Sequence, residues 1–174
     1  MAKLARDALN DLSSGAVFLA TGGGGDPYVA QLIAEQALEK YGPVELMPPD
    51  AVADDDYVVA IGAVGAPTVS LELLPSINEA RDTLAAFEER TGRKVDAVVS
   101  FEIGGGNSLI PIVAAAAAGV PVIDGDGMGR ALPEAQMMTY PITGVRPTPA
   151  VVTDYKGDIT EFDTPDIMAF ERAI

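Results

Sequence analysis

Three carboxylates that follow predicted buried strands are the candidate catalytic groups of this chain: Glu102, Asp124 and Asp126. In an open α/β sheet, ligands bind beyond the carboxyl ends of the strands, so these side chains are expected to line one cleft. Glu102 is placed to act as a general base. Asp124 and Asp126 fit two roles, either oxygen ligands of a divalent cation or a base with its orienting partner. The alternative is a salt-bridged turn with Arg130, a residue that could instead clamp a substrate carboxylate.

Two glycine-rich segments, TGGGGDP and EIGGGNS, are the candidate substrate-binding loops. Glycine lets the backbone turn tightly and present N–H groups to a ligand. Neither segment is a P-loop or GxGxxG, so nucleotide binding is not indicated. Asn107 and Ser108 are also expected to cap the following helix, and plain connections without a ligand are the alternative for both loops. The predicted substrate-binding residues are Thr21, Gly22, Gly23, Gly24, Gly25, Gly104, Gly105, Asn107, Ser108, Arg130 and Glu134.

Alternating helices and buried strands must position these loops. The alternation predicts an α/β three-layer sandwich, with a mostly parallel central sheet flanked by helices and a β-hairpin-like C-terminal segment. The predicted strands are Val44–Met47, Tyr57–Ala63, Val95–Ser100, Val120–Ile123, Met137–Ile142 and Ala150–Thr153, with Ile159–Phe162 after a turn at Tyr155-Lys156-Gly157-Asp158. The predicted helices are Ala2–Leu12, Pro27 to about Lys40, a capping box at Ser76 leading to Arg90, Leu109–Ala118, and a short one opened by Thr164-Pro165; Gly15–Ala20 fits a strand or a helix.

The composition narrows the class of protein. With 48% hydrophobic and 21% charged residues, one globular domain over residues 1–174 is predicted. The formal net charge of −15 argues against nucleic-acid and membrane-surface partners. The sequence shows neither a membrane span nor a signal-peptide pattern, so a cytoplasmic protein is predicted. There is no Cys and no His, so chemistry within this chain must use carboxylates, hydroxyls or backbone groups.

Four distinctive stretches occur in order between about Leu12 and Asp154: ATGGGGDPY, IGAVGAPTVSLELLP, GRKVDAVVSFEIGGGNSLIPIVAAAAAGVPVIDGDGMGRALPEAQM and ITGVRPTPAVVTD. Together they resemble the N-terminal region of the S-methyl thiohydantoin desulfurase-like family, formerly a domain of unknown function. The resemblance implies a three-layer α/β N-terminal domain. In that family a β-rich C-terminal domain of similar length follows, and we expect it to be absent from this chain.

The resemblance also implies a function. Members look like hydrolases of small cyclic amide-type compounds, and the named reaction converts an S-methyl thiohydantoin to a hydantoin and methanethiol. The expected partners are a cyclic substrate, a second copy of the chain, or a hydantoinase/oxoprolinase-type protein. A divalent metal is a candidate cofactor, whose His or Cys ligands would have to come from the second domain. The alternative is a non-catalytic ligand-binding module or a structural subunit of such an assembly.

Overall fold

The structure is a computed structural model that describes residues 2–65, 72–73 and 75–174. Its architecture is α/β, with a five-stranded mixed sheet and a separate two-stranded sheet. The strands are β1 (Ala2–Leu4), β2 (Val44–Met47), β3 (Val58–Ile61), β4 (Ala97–Ser100), β5 (Val122–Asp126), β6 (Ala150–Thr153) and β7 (Ile159–Phe162). The helices in these ranges are α1 (Leu9–Ala20), α2 (Pro27–Tyr41), α3 (Ile77–Thr91), α4 (Ile110–Ala118) and α5 (Ile167–Ala173).

Local capping signals fix the ends of the long helices. The side chain of Asp26 accepts a hydrogen bond from the Tyr28 N–H at 2.9 Å, directly before Pro27 begins α2. The Ser76 hydroxyl accepts from the Asn78 N–H at the start of α3 in the same way. Gly92 and Gly119 end α3 and α4 in the left-handed conformation, which costs glycine little. These predicted boundaries are therefore confirmed to within a residue or so.

The order of strands in the main sheet is β1-β2-β5-β4-β3. Strand β1 is antiparallel to β2, and the pairs β2–β5, β5–β4 and β4–β3 are parallel. The carboxyl ends of β3, β4 and β5 consequently meet at one edge of the sheet. That edge carries the segments that follow Ile61, Ser100 and Asp126. Glu102 follows β4 as predicted, whereas Asp124 and Asp126, predicted on a loop after Val120–Ile123, lie within β5 because this strand continues to Asp126.

The long helices share one core against one face of the sheet. Side chains of β4 alternate: Val98 packs into this main core, whereas Ala97 and Val99 face the other way. Helices α1 to α4 all contribute to the main core, with Leu9, Ile33, Leu84 and Ile112 among its buried members. On the opposite face a small cluster of Ala97, Val99 and Ile123 is covered by Met47, Val52, Val58 and Tyr140. Within the described residues the predicted three-layer sandwich is therefore not confirmed, because the second face carries strand residues and short turns.

The C-terminal hairpin matches its prediction. Strands β6 and β7 pair in the antiparallel sense. In the turn between them the Asp154 carboxylate accepts hydrogen bonds from Lys156 N–H and Asp158 N–H, both at 2.9 Å. The hairpin lies against α3, where the hydroxyls of Thr83 and Thr153 share a hydrogen bond and Arg90 pairs with Glu161 at 2.6 Å.

Two predicted elements are wrong. The predicted helix Ala2–Leu12 begins instead with strand β1, and α1 runs from Leu9 through the ambiguous Gly15–Ala20 segment. Pairing of Ala2–Leu4 with β2, a tertiary contact, overrides the helical spacing there. The predicted strand Met137–Ile142 forms short 3₁₀ turns at Ala135–Met137 and Tyr140–Thr143. Pro141 lacks the N–H that a strand would need at that point.

No helix in the described ranges combines the length and apolar character needed to cross a bilayer.

Candidate functional site

The two glycine-rich loops meet at the carboxyl edge of the sheet. The Gly24 carbonyl accepts a hydrogen bond from the Asn107 N–H, and the Gly25 carbonyl accepts one from the Gly106 N–H, both at 3.2 Å. A third segment joins them, because the Ala131 N–H donates to the Leu19 carbonyl at 3.1 Å. The structure therefore brings the first three predicted site segments together. It also engages the Gly106 and Asn107 N–H groups with protein carbonyls.

Glu102 is the buried carboxylate of this junction, with 5% of its surface exposed. Its Oε1 accepts a hydrogen bond from the Asn107 side-chain amide at 3.1 Å, and its Oε2 accepts one from the Leu132 N–H at 3.4 Å. No Lys or Arg of the described ranges forms an ion pair with it. A buried carboxylate held only by neutral donors is costly to fold, which makes Glu102 the strongest functional candidate of the site.

Asn107 links the ends of two strands instead of capping a helix. Its Oδ1 accepts from the Ala63 N–H at 2.7 Å, and its Nδ2 donates to the Ala63 carbonyl at 3.2 Å as well as to Glu102. Helix α4 begins after Leu109 without any side-chain cap, so the predicted capping by Asn107 or Ser108 is wrong. The reason is tertiary: a 3₁₀ turn at Gly105–Ser108 directs Asn107 toward the loop after β3.

Close packing explains two of the glycines. Gly24 has φ of +74°, and a Cβ placed there would lie 2.7 Å from the Glu102 Oε1. Gly105 has φ of +58°, and a Cβ there would lie 2.6 Å from the Gly24 carbonyl oxygen. Real Cβ contacts essentially never fall below 3.0 Å. The backbones of the two loops can approach each other only because both positions are glycine.

Asp126 organises the third loop. Its Oδ2 accepts three backbone N–H hydrogen bonds, from Ile103 at 3.0 Å, Met128 at 2.9 Å and Gly129 at 2.6 Å. The bond to Ile103 places this carboxylate beside the residue that follows Glu102. Asp126 is therefore next to the junction, with one oxygen committed to holding the loop.

Tyr140 is a neighbour of Asp126 that the sequence did not single out. Burial, with a smaller contribution from the negative charge of Asp126, raises the pKa of the Tyr140 phenol to about 12. The phenol of a tyrosine in an unfolded chain has a pKa of about 10. At a pH between these two pKa values, Tyr140 is ionised in the unfolded chain but still protonated in the native chain. The free energy of unfolding should therefore fall as pH rises from about 10 to about 12.

This pH dependence gives a direct test. We expect Tyr140→Phe to remove the fall in stability between pH about 10 and about 12, and Asp126→Asn to lower the pKa of Tyr140 without bringing it to about 10, since burial is the larger cause. Ultraviolet absorbance can follow the titration, because the chain has five Tyr and no Trp. The exposed Tyr155→Phe is the matched control. An unchanged slope in Tyr140→Phe would show that other groups cause it.

The remaining predicted residues lie at the surface, and within the described ranges no hydrogen bond or ion pair joins Asp124, Arg130 or Glu134 to Glu102. Thr21, Gly22, Gly23, Asp124, Arg130 and Glu134 are exposed, and Gln136 donates a hydrogen bond to Glu134. Within the described ranges, no group of three or more acidic side chains is arranged to hold a metal ion. The structure adds Ser100, whose Oγ accepts from the Glu102 N–H at 3.2 Å. The hydroxyl of Ser108, at the end of the Gly105–Ser108 turn, is buried and has no hydrogen-bond partner in the described part of the chain. Ser100 could have been identified from the sequence because it is a serine at the end of a predicted buried strand. No feature of the sequence points to Tyr140.

The fold and site define a class of protein: a mostly parallel α/β domain with a buried carboxylate at the carboxyl edge of its sheet. The chain belongs to the S-Me-THD-like family, N-terminal domain, which matches residues 7–164. This confirms the family that the four sequence stretches indicated. No curated protein matches the chain.

A crystal structure of a protein from Chromobacterium violaceum shares this architecture. Its sequence is 29% identical to this chain, and the two superpose with a TM-score of 0.85. The match covers 99% of this chain and 48% of that protein. This chain therefore spans about half the length of that relative.

Proposed function

We propose that this chain is the N-terminal domain of a hydrolase acting on small cyclic amide-type compounds, with an S-methyl thiohydantoin as the type substrate. The observation that carries the proposal is Glu102, a buried carboxylate that pairs with no Lys or Arg of the described ranges and lies at the carboxyl edge of a mostly parallel sheet. Such edges are where α/β proteins bind ligands, and buried carboxylates with only neutral partners are typical of functional sites. The family relationship supplies the substrate class.

The chemistry would be water attack on an sp2 ring carbon. Glu102 takes a proton from the water, and the water oxygen bonds to the ring carbon that carries the S-methyl group. The resulting tetrahedral intermediate then expels methanethiolate, which takes the proton from Glu102 and leaves as methanethiol. The remaining hydroxyl proton moves to the ring nitrogen, so that the ring becomes a hydantoin. Backbone N–H groups of the Thr21–Asp26 loop are the donors proposed for the developing negative charge. Because Glu102 is nearly covered, this loop must move for a substrate to reach it.

A non-catalytic role is the second candidate, and the closed junction favours it. The glycine loops interlock through the Gly24 and Gly25 carbonyls, and Glu102 is hydrogen-bonded to Asn107 within them. Such an arrangement also suits a domain that binds a cyclic compound, or a partner, without converting it. A homo-oligomer, a hydantoinase/oxoprolinase-type partner and a divalent metal stay proposals for this domain.

Binding and turnover can be measured separately. At a concentration about a hundredfold above Kd, a ligand stabilises the native state by about 2.7 kcal/mol, which raises Tm by about 5–11 °C for a domain of this size. We expect such a rise with S-methyl thiohydantoin, and its loss in Glu102→Gln. Released methanethiol can be detected with a thiol reagent without background, because the chain has no Cys. Loss of the base should slow release by about 100-fold or more.

Glu39→Gln is the matched control, since Glu39 is an exposed carboxylate on α2. It should leave both readouts unchanged. Stabilisation without methanethiol would favour the binding module over the hydrolase. If the wild-type chain shows no stabilisation by the ligand and releases no methanethiol, both candidate functions are contradicted for this domain on its own.

A further inference from the structure

The segment 128–138 forms one closed loop beside Glu102. It leaves the sheet after β5, and its two ends meet because the Gly127 carbonyl accepts hydrogen bonds from the Thr139 N–H at 2.7 Å and from the Thr139 hydroxyl at 3.0 Å. The Gly127 N–H donates to the Ser100 carbonyl at 3.2 Å, which fixes the base of the loop to the end of β4. Compact surface loops of about 6–16 residues with adjoining ends are frequently functional. We call the segment 128–138 the cover loop.

The cover loop closes the junction around Glu102 through two neighbouring residues. The Leu132 N–H donates to the Glu102 Oε2 at 3.4 Å, and the Ala131 N–H donates to the Leu19 carbonyl at 3.1 Å. Ala131 is itself buried, and its methyl group packs against a glycine loop. A Cβ placed at Gly104 would lie 2.9 Å from the Ala131 Cβ, too close for any residue with a side chain. The cover loop therefore contributes both a hydrogen bond and a packed side chain to the covering of Glu102.

The strongest hydrogen bond of the cover loop beyond its base is made away from Glu102. The Ala135 N–H donates to the Glu171 Oε2 at 2.6 Å, and bonds this short to a carboxylate are about twice as strong as neutral ones. Glu171 belongs to α5, which packs against the turn Ala135–Met137. The bond from Leu132 to Glu102 is longer than the usual range of about 2.7–3.2 Å. The carboxylate of Glu171, more than that of Glu102, therefore holds the loop in place.

We propose that Glu171 is a positioning residue that latches the cover loop over Glu102 and so controls access to this carboxylate. Without the Glu171 acceptor, only the neutral and long contacts of Ala131 and Leu132 keep the loop closed beyond its base. When the loop opens, the Glu102 Oε2 loses the Leu132 N–H, and a water or a ligand N–H can take its place. The Thr21–Asp26 loop opens with it, because Ala131 is bonded to Leu19. This latch rests on the proposed function only in that Glu102 is the group that a substrate has to reach.

Gln136 gives the closed loop a second reason to open. Its side-chain Oε1 is buried and has no hydrogen-bond partner in the described part of the chain, while its Nε2 donates to Glu134. A buried acceptor without a donor disfavours the closed state, and opening exposes it to water. The balance between the Glu171 bond and this cost sets how often the loop opens.

Hydrogen exchange of the wild-type chain tests whether the cover loop opens as one unit. The N–H groups of Ala131, Leu132 and Ala135 should show one common protection factor, because they are released together. That protection should be at least about tenfold lower than that of the Val98 N–H, which donates to the Pro121 carbonyl within the sheet. No substitution is needed for this measurement.

Carbodiimide labelling tests whether Glu171 controls access to Glu102. The chain is treated with a water-soluble carbodiimide and an amine, and peptide mass spectrometry gives the labelling rate of Glu102 relative to the exposed Glu39. Glu171→Ala should raise this relative rate at least about tenfold, since a hydrogen bond to a charged group is lost. Glu171→Gln keeps an acceptor and should give a rate between those of wild type and Glu171→Ala. Glu161→Ala is the matched control, because Glu161 pairs with Arg90 instead of the cover loop and should leave the rate unchanged.

The latch is wrong if the cover-loop amides exchange as slowly as Val98, if Glu102 is labelled equally in wild type and Glu171→Ala, or if Glu161→Ala raises the labelling as much. Circular dichroism confirms that each variant is folded before it is labelled. None of these readouts involves a thiohydantoin, so failure of the latch and failure of the hydrolase proposal are distinguishable.

Discussion

Replacing Gly24 with alanine is expected to lower the free energy of unfolding by about 2–5 kcal/mol. The left-handed backbone at φ of +74° costs an L-residue about 1–2 kcal/mol. The added methyl group would also lie 2.7 Å from both the Glu102 Oε1 and the Gly104 carbonyl carbon. Overpacking of that kind costs about 1–3 kcal/mol more, because the neighbour includes backbone. Urea denaturation followed by circular dichroism measures the change.

Gly25→Ala is the matched control for this change. Gly25 lies in the same loop with φ of +80°, but a Cβ there meets nothing within 4 Å. Its cost should be the backbone strain alone, about 1–2 kcal/mol. The difference between the two variants therefore isolates the close approach of the two glycine loops. Equal costs for Gly24→Ala and Gly25→Ala would mean that the loops separate easily, and that the junction around Glu102 is open in solution.

The sequence predicted best those features that depend on neighbouring residues. Asp26 followed by Pro27 located the start of α2, and Ser76 located the start of α3. The turn at Lys156-Gly157 located the hairpin. Each of these signals acts through a hydrogen bond or a dihedral angle within a few residues. Short-range chemistry was sufficient to find them.

The failures depend on contacts between distant residues. Ala2–Leu4 has helical spacing, and only its pairing with Val44–Leu46 makes it a strand. Alternation of strands and helices does not say which face each helix covers, and the predicted second helical layer is accordingly not confirmed within the described residues. The main sheet and its carboxyl edge were predictable because buried parallel strands are continuous apolar runs.

The candidate site shows the same division. Glu102 and the EIGGGNS loop were placed at this edge by their position after a buried strand, and the structure confirms it. The TGGGGDP loop reaches the same edge although it follows the helix α1 instead of a strand. The sequence did not reveal that the glycines of one loop pack against the backbone of the other, since Gly24 and Gly105 are 81 positions apart. It also assigned Asn107 to a local cap, although its actual partners are Ala63 and Glu102. The same side-chain amide can cap a neighbouring helix or bind residues that are distant in the sequence, and sequence alone favours the helix cap.

Asn107→Asp should destabilise the native chain by about 2–4 kcal/mol at neutral pH, through loss of a buried donor and repulsion between two carboxylates. The new side chain keeps the shape of asparagine and still accepts from the Ala63 N–H. It cannot donate to the Ala63 carbonyl or to the Glu102 Oε1, which Nδ2 serves at 3.2 and 3.1 Å. The substitution thus removes two hydrogen bonds and adds a like charge without opening a cavity.

The pH dependence separates the added charge from the lost donor. Repulsion from Glu102 raises the pKa of the introduced carboxyl above the pKa of an aspartate in the unfolded chain, which is about 3.9. The native state then holds a proton that the unfolded chain has lost, so the penalty grows as pH rises from about 4 and diminishes on acidification. Unfolding free energies at about pH 4.5 and 7 should show a smaller difference from wild type at the lower pH. Asn78→Asp, exposed in the first turn of α3, should be neutral or stabilising by a few tenths of a kcal/mol. If the cost of Asn107→Asp were the same at both pH values, the carboxylate of Glu102 would not be the group that Asn107 holds in place, and its claim to be the base of the site would weaken with it.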